Sequence, residues 1–358
     1  MFHTGKRNRK YGGFLKRVVI IGGGFVGSLV AKKLENRFKV TLIDNKDCFE
    51  FTPGVPRTLV QPEHKKSIQV KHKNYLKKAT IINDETISIG ECFVNTKTKK
   101  LFFDYLVIAS GSSYSSLLSN VVVSTKADVL SSVHDDLKKS KKILIIGGGF
   151  VGVEVAGEIC ERFPNKRLTL VHAQNRLLER CTGKAQEYAK NQLTKKGVEI
   201  IFNELITRNS GNIFHTNKGR KIKADIAFSC AGIIPNSGFI RDESLKVGRG
   251  FIRVNDYLQM IGKNNVFVGG DVSSVKEEKL AQVAQKHAKI IARNIIFSES
   301  NKKLVKYIPR SRPLLISLGK YKGILTYNNF TLTGIIPAFM KILVEWKSMI
   351  KYKLWSKL

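Results

Sequence analysis

The apolar residues of this chain gather into short runs, at 18–21, 40–43, 105–109, 143–146, 168–171, 226–228 and 266–268, interrupted only by Thr41 and Thr169. Runs this short with no alternation predict strands buried on both faces of a parallel sheet. Between them the apolar positions recur at helical spacing, from the first glycine cluster to Leu34, over 153–159 and over 280–295. Strand and helix in regular alternation predict an α/β protein with parallel sheets.

Two of the runs break in the same way. Residues 18–21 lead into Gly22, Gly23, Gly24, Phe25, Val26 and Gly27, and residues 143–146 lead into Gly147, Gly148, Gly149, Phe150, Val151 and Gly152. In each copy the first glycine permits a tight turn, the second lets backbone approach a pyrophosphate, and the third lets the helix pack close to the strand. The N–H groups at the helix start would hold the phosphates. The strand after the first copy ends in Asp44, twenty residues beyond Gly24, where a carboxylate accepts from adenosine ribose hydroxyls. The matching strand of the second copy ends in His172, with Arg176 shortly after. Two readings stay open there: relaxed exclusion of a 2′-phosphate, or a surface residue beyond the strand. The run at 105–109 enters a small-residue turn, Ser110-Gly111-Ser112, and Gly269-Gly270-Asp271 follows another strand. Asp271 can bind hydroxyls or cap the next helix. Residues 121–140 are expected to be a polar connection.

Past Ser300 the pattern changes to apolar stretches at 314–318 and 324–332, a small meander or hairpin. A last helix is expected from about Ala338. Phe339, Leu343, Trp346, Ile350 and Leu354 share one face, flanked by Ile342 and Met349, with Lys341, Glu345, Ser348 and Tyr352 opposite. A basic amphipathic helix with tryptophans suits the plane of an anionic membrane surface. Docking on the protein's own core or on a second copy, as a homodimer, is the other reading. The tail is expected to be an anchor separable from the rest of the chain.

Lys and Arg total 62 against 28 acidic residues, a formal charge of +34. Nucleic acid or an anionic membrane attracts such a chain. The lysines are scattered and no zinc-knuckle or RNP-type pattern occurs, so nucleic acid is not favoured. The five cysteines include no CxxC pair, which suggests neither a disulfide framework nor a dithiol centre and fits a reducing compartment. No metal set is expected. No apolar run approaches the ~20 residues that span a bilayer. The basic N-terminus, residues 1–10, lacks the apolar core of a secretory signal, and an organellar presequence stays open. Phe2 excludes N-myristoylation.

Taken in order, Gly22-x-Gly24-x-x-Gly27 with Asp44, Ala109-Ser110-Gly111, Gly147-x-Gly149-x-x-Gly152, Ala231-Gly232-x-x-Pro235 and Gly269-Gly270-Asp271 resemble the glutathione-reductase-like flavoproteins. Their layout is two Rossmann-like dinucleotide-binding domains, the second inserted into the first. The resemblance implies an FAD-binding domain over 1–117 and 236–300, an NAD(P)H-binding domain over 118–235, and a C-terminal region over 301–358. Within that group the chain is similar to type II NADH dehydrogenases and the apoptosis-inducing-factor-like ferroptosis suppressors. Ala281-Gln282-Val283-Ala284 resembles the quinone-side motif of the former, with Lys286 in place of its next glutamine, and Phe51-Thr52-Pro53 resembles their flavin-side loop.

By that resemblance the 22–27 loop holds the FAD pyrophosphate, Asp44 its ribose, and Asp271 its ribityl or flavin end. Arg57 would lie beside FAD, Thr80 would meet the adenine through its backbone, and Gly111 would line the same site. Gly147, Gly149, Gly152, His172 and Gly232 would hold NADH or NADPH. Glu154 would lie near the nicotinamide, although a first-turn helix acid is also favoured by the dipole alone. Gln282 and Lys286 would face a quinone. The single catalytic cysteine of some relatives falls ten residues after the ribose acid, at Gly54 here, so no thiol relay is implied and Cys48 is expected to be inert packing. The implied activity is an FAD-dependent NAD(P)H:quinone oxidoreductase on the cytoplasmic face of a membrane, with an organellar membrane open. Reduction of a small electron-carrier protein, or nucleic-acid binding without turnover, are the alternatives.

Overall fold

A computed structural model of the protein describes residues 15–114, 116, 118–123 and 126–357. The basic stretch 1–10 lies outside them. Five parallel strands form the first sheet, in the order Val266–Val268, Tyr105–Ile108, Arg17–Ile21, Lys39–Asp44, Thr80–Asn83. Five more form the second, in the order Val121–Val122, Ile226–Ser229, Lys142–Ile146, Arg167–His172, Glu199–Phe202. The strand that opens each glycine loop is central in its sheet, with Val18 and Ile20 fully buried in one and Leu144 and Ile145 in the other.

The second unit is inserted into the first. The chain leaves along Ser112–Tyr114 and returns along Ile233–Pro235, two strands paired antiparallel, and Val266–Val268 then completes the first sheet. Both units share a further feature that the apolar runs did not announce. A three-stranded antiparallel meander covers the crossover to the last inner strand, at Thr86–Ile89, Phe93–Thr96 and Lys100–Phe102 in one unit and Ile206–Ser210, Ile213–Thr216 and Lys221–Lys223 in the other. The described residues of the stretch read as a polar connection form elements of their own: Val121–Val122 joins the second sheet, and the helices Ala127–Ser132 and His134–Lys139 bury Leu130 and Leu137.

After the long helix Ala281–Glu299, which packs along the helix Phe25–Leu34, the C-terminal region is a three-stranded meander, Leu314–Ser317, Gly323–Tyr327 and Phe330–Gly334. The final helix runs Ile335–Lys357 and begins three residues before the expected start. It packs on the first unit and on the C-terminal meander, and its Met349 and Tyr352 join the hydrophobic core. Tyr352 stacks on Phe49 with ring centroids 3.8 Å apart, and its hydroxyl is 2.8 Å from Ser28 Oγ. Met349, assigned by periodicity to the flank of the apolar face, is buried, because that flank turns inward. The helix docks through its polar side: Lys341, Glu345 and Tyr352 all find partners on the body. Phe339, Leu343 and Trp346 point away from it, Trp346 with 61% of its surface exposed.

Candidate functional site

Gly22 (φ +95°) and Gly147 (φ +109°) hold left-handed backbone at the strand ends, and a Cβ on Gly22 would stand 2.3 Å from the Ala109 carbonyl oxygen. Gly27 and Gly152 permit close packing, since a Cβ there would meet the carbonyl oxygens of Gly22 and Gly147 at 1.8 and 1.9 Å. The middle positions are different. A Cβ on Gly24 or Gly149 meets nothing within 4 Å, and each is the uncapped N-terminal residue of its helix, Phe25–Leu34 or Phe150–Arg162. The N–H groups of both helix starts therefore face open space, a cradle that fits the diphosphate of a dinucleotide.

Asp44 is pinned at the first loop. Its Oδ2 accepts from the Gly23 N–H at 3.0 Å and from His72 Nε2 at 3.0 Å, and His72 Nδ1 lies 2.7 Å from the Tyr75 hydroxyl. A carboxylate only accepts, so the His72 proton sits on Nε2 and Nδ1 takes the tyrosine proton. His72 and Tyr75 are fully buried, and neither belongs to the glycine motif. Thr80 opens its strand opposite Thr41, at the other end from Asp44. Asn83 is the residue beside the acid, donating to the Asp44 carbonyl at 2.9 Å.

His172 occupies the corresponding place at the second loop and is buried, not a surface residue beyond the strand. The Gly148 N–H donates to its Nδ1 at 3.1 Å, as Gly23 does to Asp44. Burial holds its pKa below the ordinary histidine value.

Beyond the loops, Gly111 and Gly232 flank the paired strands that link the units, where Asn236 donates to the Ser110 carbonyl at 2.9 Å and Ser110 Oγ to the Asn236 carbonyl at 2.6 Å. Asp271 Oδ2 accepts from Ser112 Oγ at 3.1 Å, and burial raises its pKa. The next layer also escaped the sequence reading. The Gly270 N–H donates to His287 Nδ1 at 3.0 Å, leaving the His287 Nε2 proton for Glu277 at 2.8 Å, and the Tyr307 hydroxyl donates to the other Glu277 oxygen at 2.6 Å. Two histidines thus orient two glycine turns of the first unit from behind.

Glu154 and Glu158 stand one turn apart on the helix of the second loop, both buried. Glu154 Oε1 accepts from the Ser317 N–H at 3.0 Å and from Lys341 of the final helix, which also reaches Ser317 Oγ at 3.2 Å. Glu158 Oε1 faces Arg57 Nε and Nη2, each at 3.4 Å. Burial raises the Glu158 pKa, with Arg57 and Lys341 acting against it. Arg57 of the first unit, both glutamates of the second, and Ser317 with Lys341 of the C-terminal region therefore meet at one junction. Periodicity placed Lys341 on the polar side of its helix and gave no hint of this partner.

An open cleft of about 660 Å³ lies between Phe150 and Arg180 of the second unit, Leu280 and Val283 at the start of the long helix, and Arg312 and Tyr327 of the C-terminal region. Glu277 reaches its wall. Gln282 and Lys286 do not line it: both are exposed, and the Gln282 amide donates to the Pro313 carbonyl. Burial pushes the thiols of Cys48 and Cys160 up to about 11, away from nucleophilic thiolate. All five cysteines are free, and no cluster suited to a metal occurs among the described residues.

Residues 16–288 match the family described as pyridine nucleotide-disulphide oxidoreductase. Apoptosis-inducing factor homolog B of Dictyostelium discoideum is 32% identical, covering 93% of this chain and 94% of its own length. Ferroptosis suppressor protein 1 of Homo sapiens is 28% identical, covering 93% and 95%. The structure of NDH2 from Plasmodium falciparum in complex with NADH superposes with a TM-score of 0.82 at 16% identity, covering 95% of this chain and 97% of that one. The chain belongs to the pyridine nucleotide-disulphide oxidoreductase family, and it is an oxidoreductase that binds FAD and NAD(P)H.

Proposed function

We propose that the protein is a peripheral membrane NAD(P)H:quinone oxidoreductase, with the 22–27 loop and Asp44 holding FAD and the 147–152 loop and His172 holding the reductant. FAD, when held there, would supply the two-electron chemistry that links the reductant to an acceptor. The chain's own residues orient and insulate. His72 fixes the carboxylate that would take the ribose hydroxyls, His287 fixes the Gly270 turn beside Asp271, and Lys341 neutralises Glu154 where the second-unit helix meets the C-terminal region. The cleft beside Phe150, Leu280 and Val283 is the reading for the reacting ends of reductant and acceptor.

One observation carries the membrane and quinone reading: the final helix docks by its polar side and turns its apolar side outward. Ile336, Phe339 and Trp346 are 58%, 59% and 61% exposed, and Lys347 and Lys353 lie beside that face. A helix held this way presents an apolar strip with a basic margin, the chemistry of an in-plane contact with anionic lipid, from which a lipid-soluble quinone is drawn. No helix among the described residues is long and apolar enough to cross a membrane. The likeness in fold to NDH2 with bound NADH supports the reductant half of the reading. The test compares turnover of NADH with a short-chain quinone and with an acidic redox protein. Faster turnover of the quinone supports the proposal, and exclusive use of the carrier protein replaces it.

A further inference from the structure

Ser28 and Tyr352 join the final helix to the first glycine loop. In the helix Phe25–Leu34 the Gly24 carbonyl accepts twice from one residue, from the Ser28 N–H at 3.0 Å and from Ser28 Oγ at 2.6 Å. A serine hydroxyl has one proton, so with that proton on Gly24 its oxygen accepts from the Tyr352 hydroxyl 2.8 Å away. Burial pushes the Tyr352 phenol well above its ordinary pKa, which keeps the donated proton in place. Both residues are buried, so water is no substitute for either partner. The Gly24 carbonyl and the Phe25 N–H belong to one trans peptide and point in opposite directions. Holding the carbonyl along the helix therefore aims the Phe25 N–H, one of the uncapped donors, at the open cradle. The second loop is built without this chain. Its equivalent of Ser28 is Val153, also fully buried, and among the described residues the Gly149 carbonyl accepts only from the Val153 N–H, at 3.0 Å. The hydroxyl pair thus belongs to one loop of the two. Tyr352 also closes on the other support of that loop: its ring lies 5.1 Å from Tyr75, whose hydroxyl backs His72 and through it Asp44.

We propose that Tyr352 is a positioning residue for FAD: through Ser28 it fixes the direction of the phosphate-binding N–H groups of the first loop, so that the docked final helix and bound FAD stabilise each other. The coupling is reciprocal, and FAD holds the helix by the same factor that the helix adds to FAD affinity. This rests on the assignment of the 22–27 loop to FAD and is independent of the acceptor and of any membrane contact.

Dilution of the FAD-loaded, full-length protein, followed by the flavin fluorescence that release restores, tests it without turnover. Tyr352→Phe keeps the stack on Phe49 and should weaken FAD about fivefold, while NAD+ titrated at excess FAD binds within about twofold of wild type. Ser28→Ala should weaken FAD at least as much, and adding Tyr352→Phe to it should change FAD affinity by less than about twofold, because the phenol then has no hydroxyl to hold. Unchanged FAD affinity in Tyr352→Phe, additive losses in the double variant, or equal loss of FAD and NAD+ would each overturn the proposal. Gly24→Val, which fills the cradle, separates the proposal from the assignment beneath it. It should weaken FAD about a hundredfold, and wild-type FAD affinity in that variant would overturn the loop assignment and the proposal together. The unmutated chain carries the test if the variants fail to fold: trypsin should cut after Lys351 and Lys353 about fivefold more slowly with saturating FAD than after dilution has released it. A cutting rate indifferent to FAD would contradict the coupling.

Discussion

Lys341 and Glu154 are 187 positions apart in sequence, and each leaves the other exposed to a large penalty if removed. Both side chains are largely buried, and Glu154 keeps only the Ser317 N–H without its lysine. Breaking a buried pair on one side costs roughly 3–5 kcal/mol, while removing both charges is far milder. Lys341→Met should therefore lower stability by about 3 kcal/mol in urea unfolding, and Lys341→Met with Glu154→Gln should recover most of the loss. Recovery by the double variant separates charge compensation from simple loss of packing. At the other loop, His72→Phe removes the side-chain donor that fixes Asp44. FAD retention on dialysis should fall about tenfold, near 1.4 kcal/mol, with a smaller loss for Tyr75→Phe. His172 gives a pH dependence with a definite sign. Burial lowers its folded pKa, so the unfolded chain takes up a proton that the folded ring resists, and stability falls as pH drops below about 6.5. His172→Gln lacks that component, and its urea midpoint should fall less between about pH 7 and pH 5 than that of the wild type.

At the scale of elements, the strand–glycine–helix units were legible because a strand buried on both faces must be apolar throughout and a dinucleotide turn must be glycine. The two meanders were not, since strands such as Ile206–Ser210 and Lys100–Phe102 are short and largely polar or exposed, and lack a continuous apolar run. Val121–Val122 is too short to stand out at all. For the final helix, periodicity identified an apolar face and a polar face, and it could not show which one touches the body. In the structure the polar face does, through Lys341, Glu345 against His64 at 3.2 Å, and Tyr352. The helix is consequently no detachable anchor. Truncation before Ile335 should abolish NADH-to-dye activity together with liposome binding, because it strips Glu154 of its cation and uncovers Phe49 and Tyr75. Phe339→Glu with Trp346→Glu should abolish liposome sedimentation while dye reduction persists, since both residues point away from the body. Loss of dye activity in that double variant would assign the outer face to the electron-transferring body instead.

For the whole molecule, the formal charge of +34 and the outward apolar strip act at different ranges. On the proposed membrane reading, charge would steer the protein to an anionic surface and be screened by salt, and the strip would give a contact that salt does not remove. The central claim is that electrons enter at the 147–152 loop, pass through FAD held at the 22–27 loop, and leave to a quinone. Stopped-flow absorbance of the purified, FAD-loaded protein tests it most directly. NADH and NADPH should each bleach the flavin, and a short-chain quinone should restore its colour faster than an acidic redox protein does. A flavin that neither nucleotide bleaches, or a reduced flavin that quinone leaves bleached, would contradict the account.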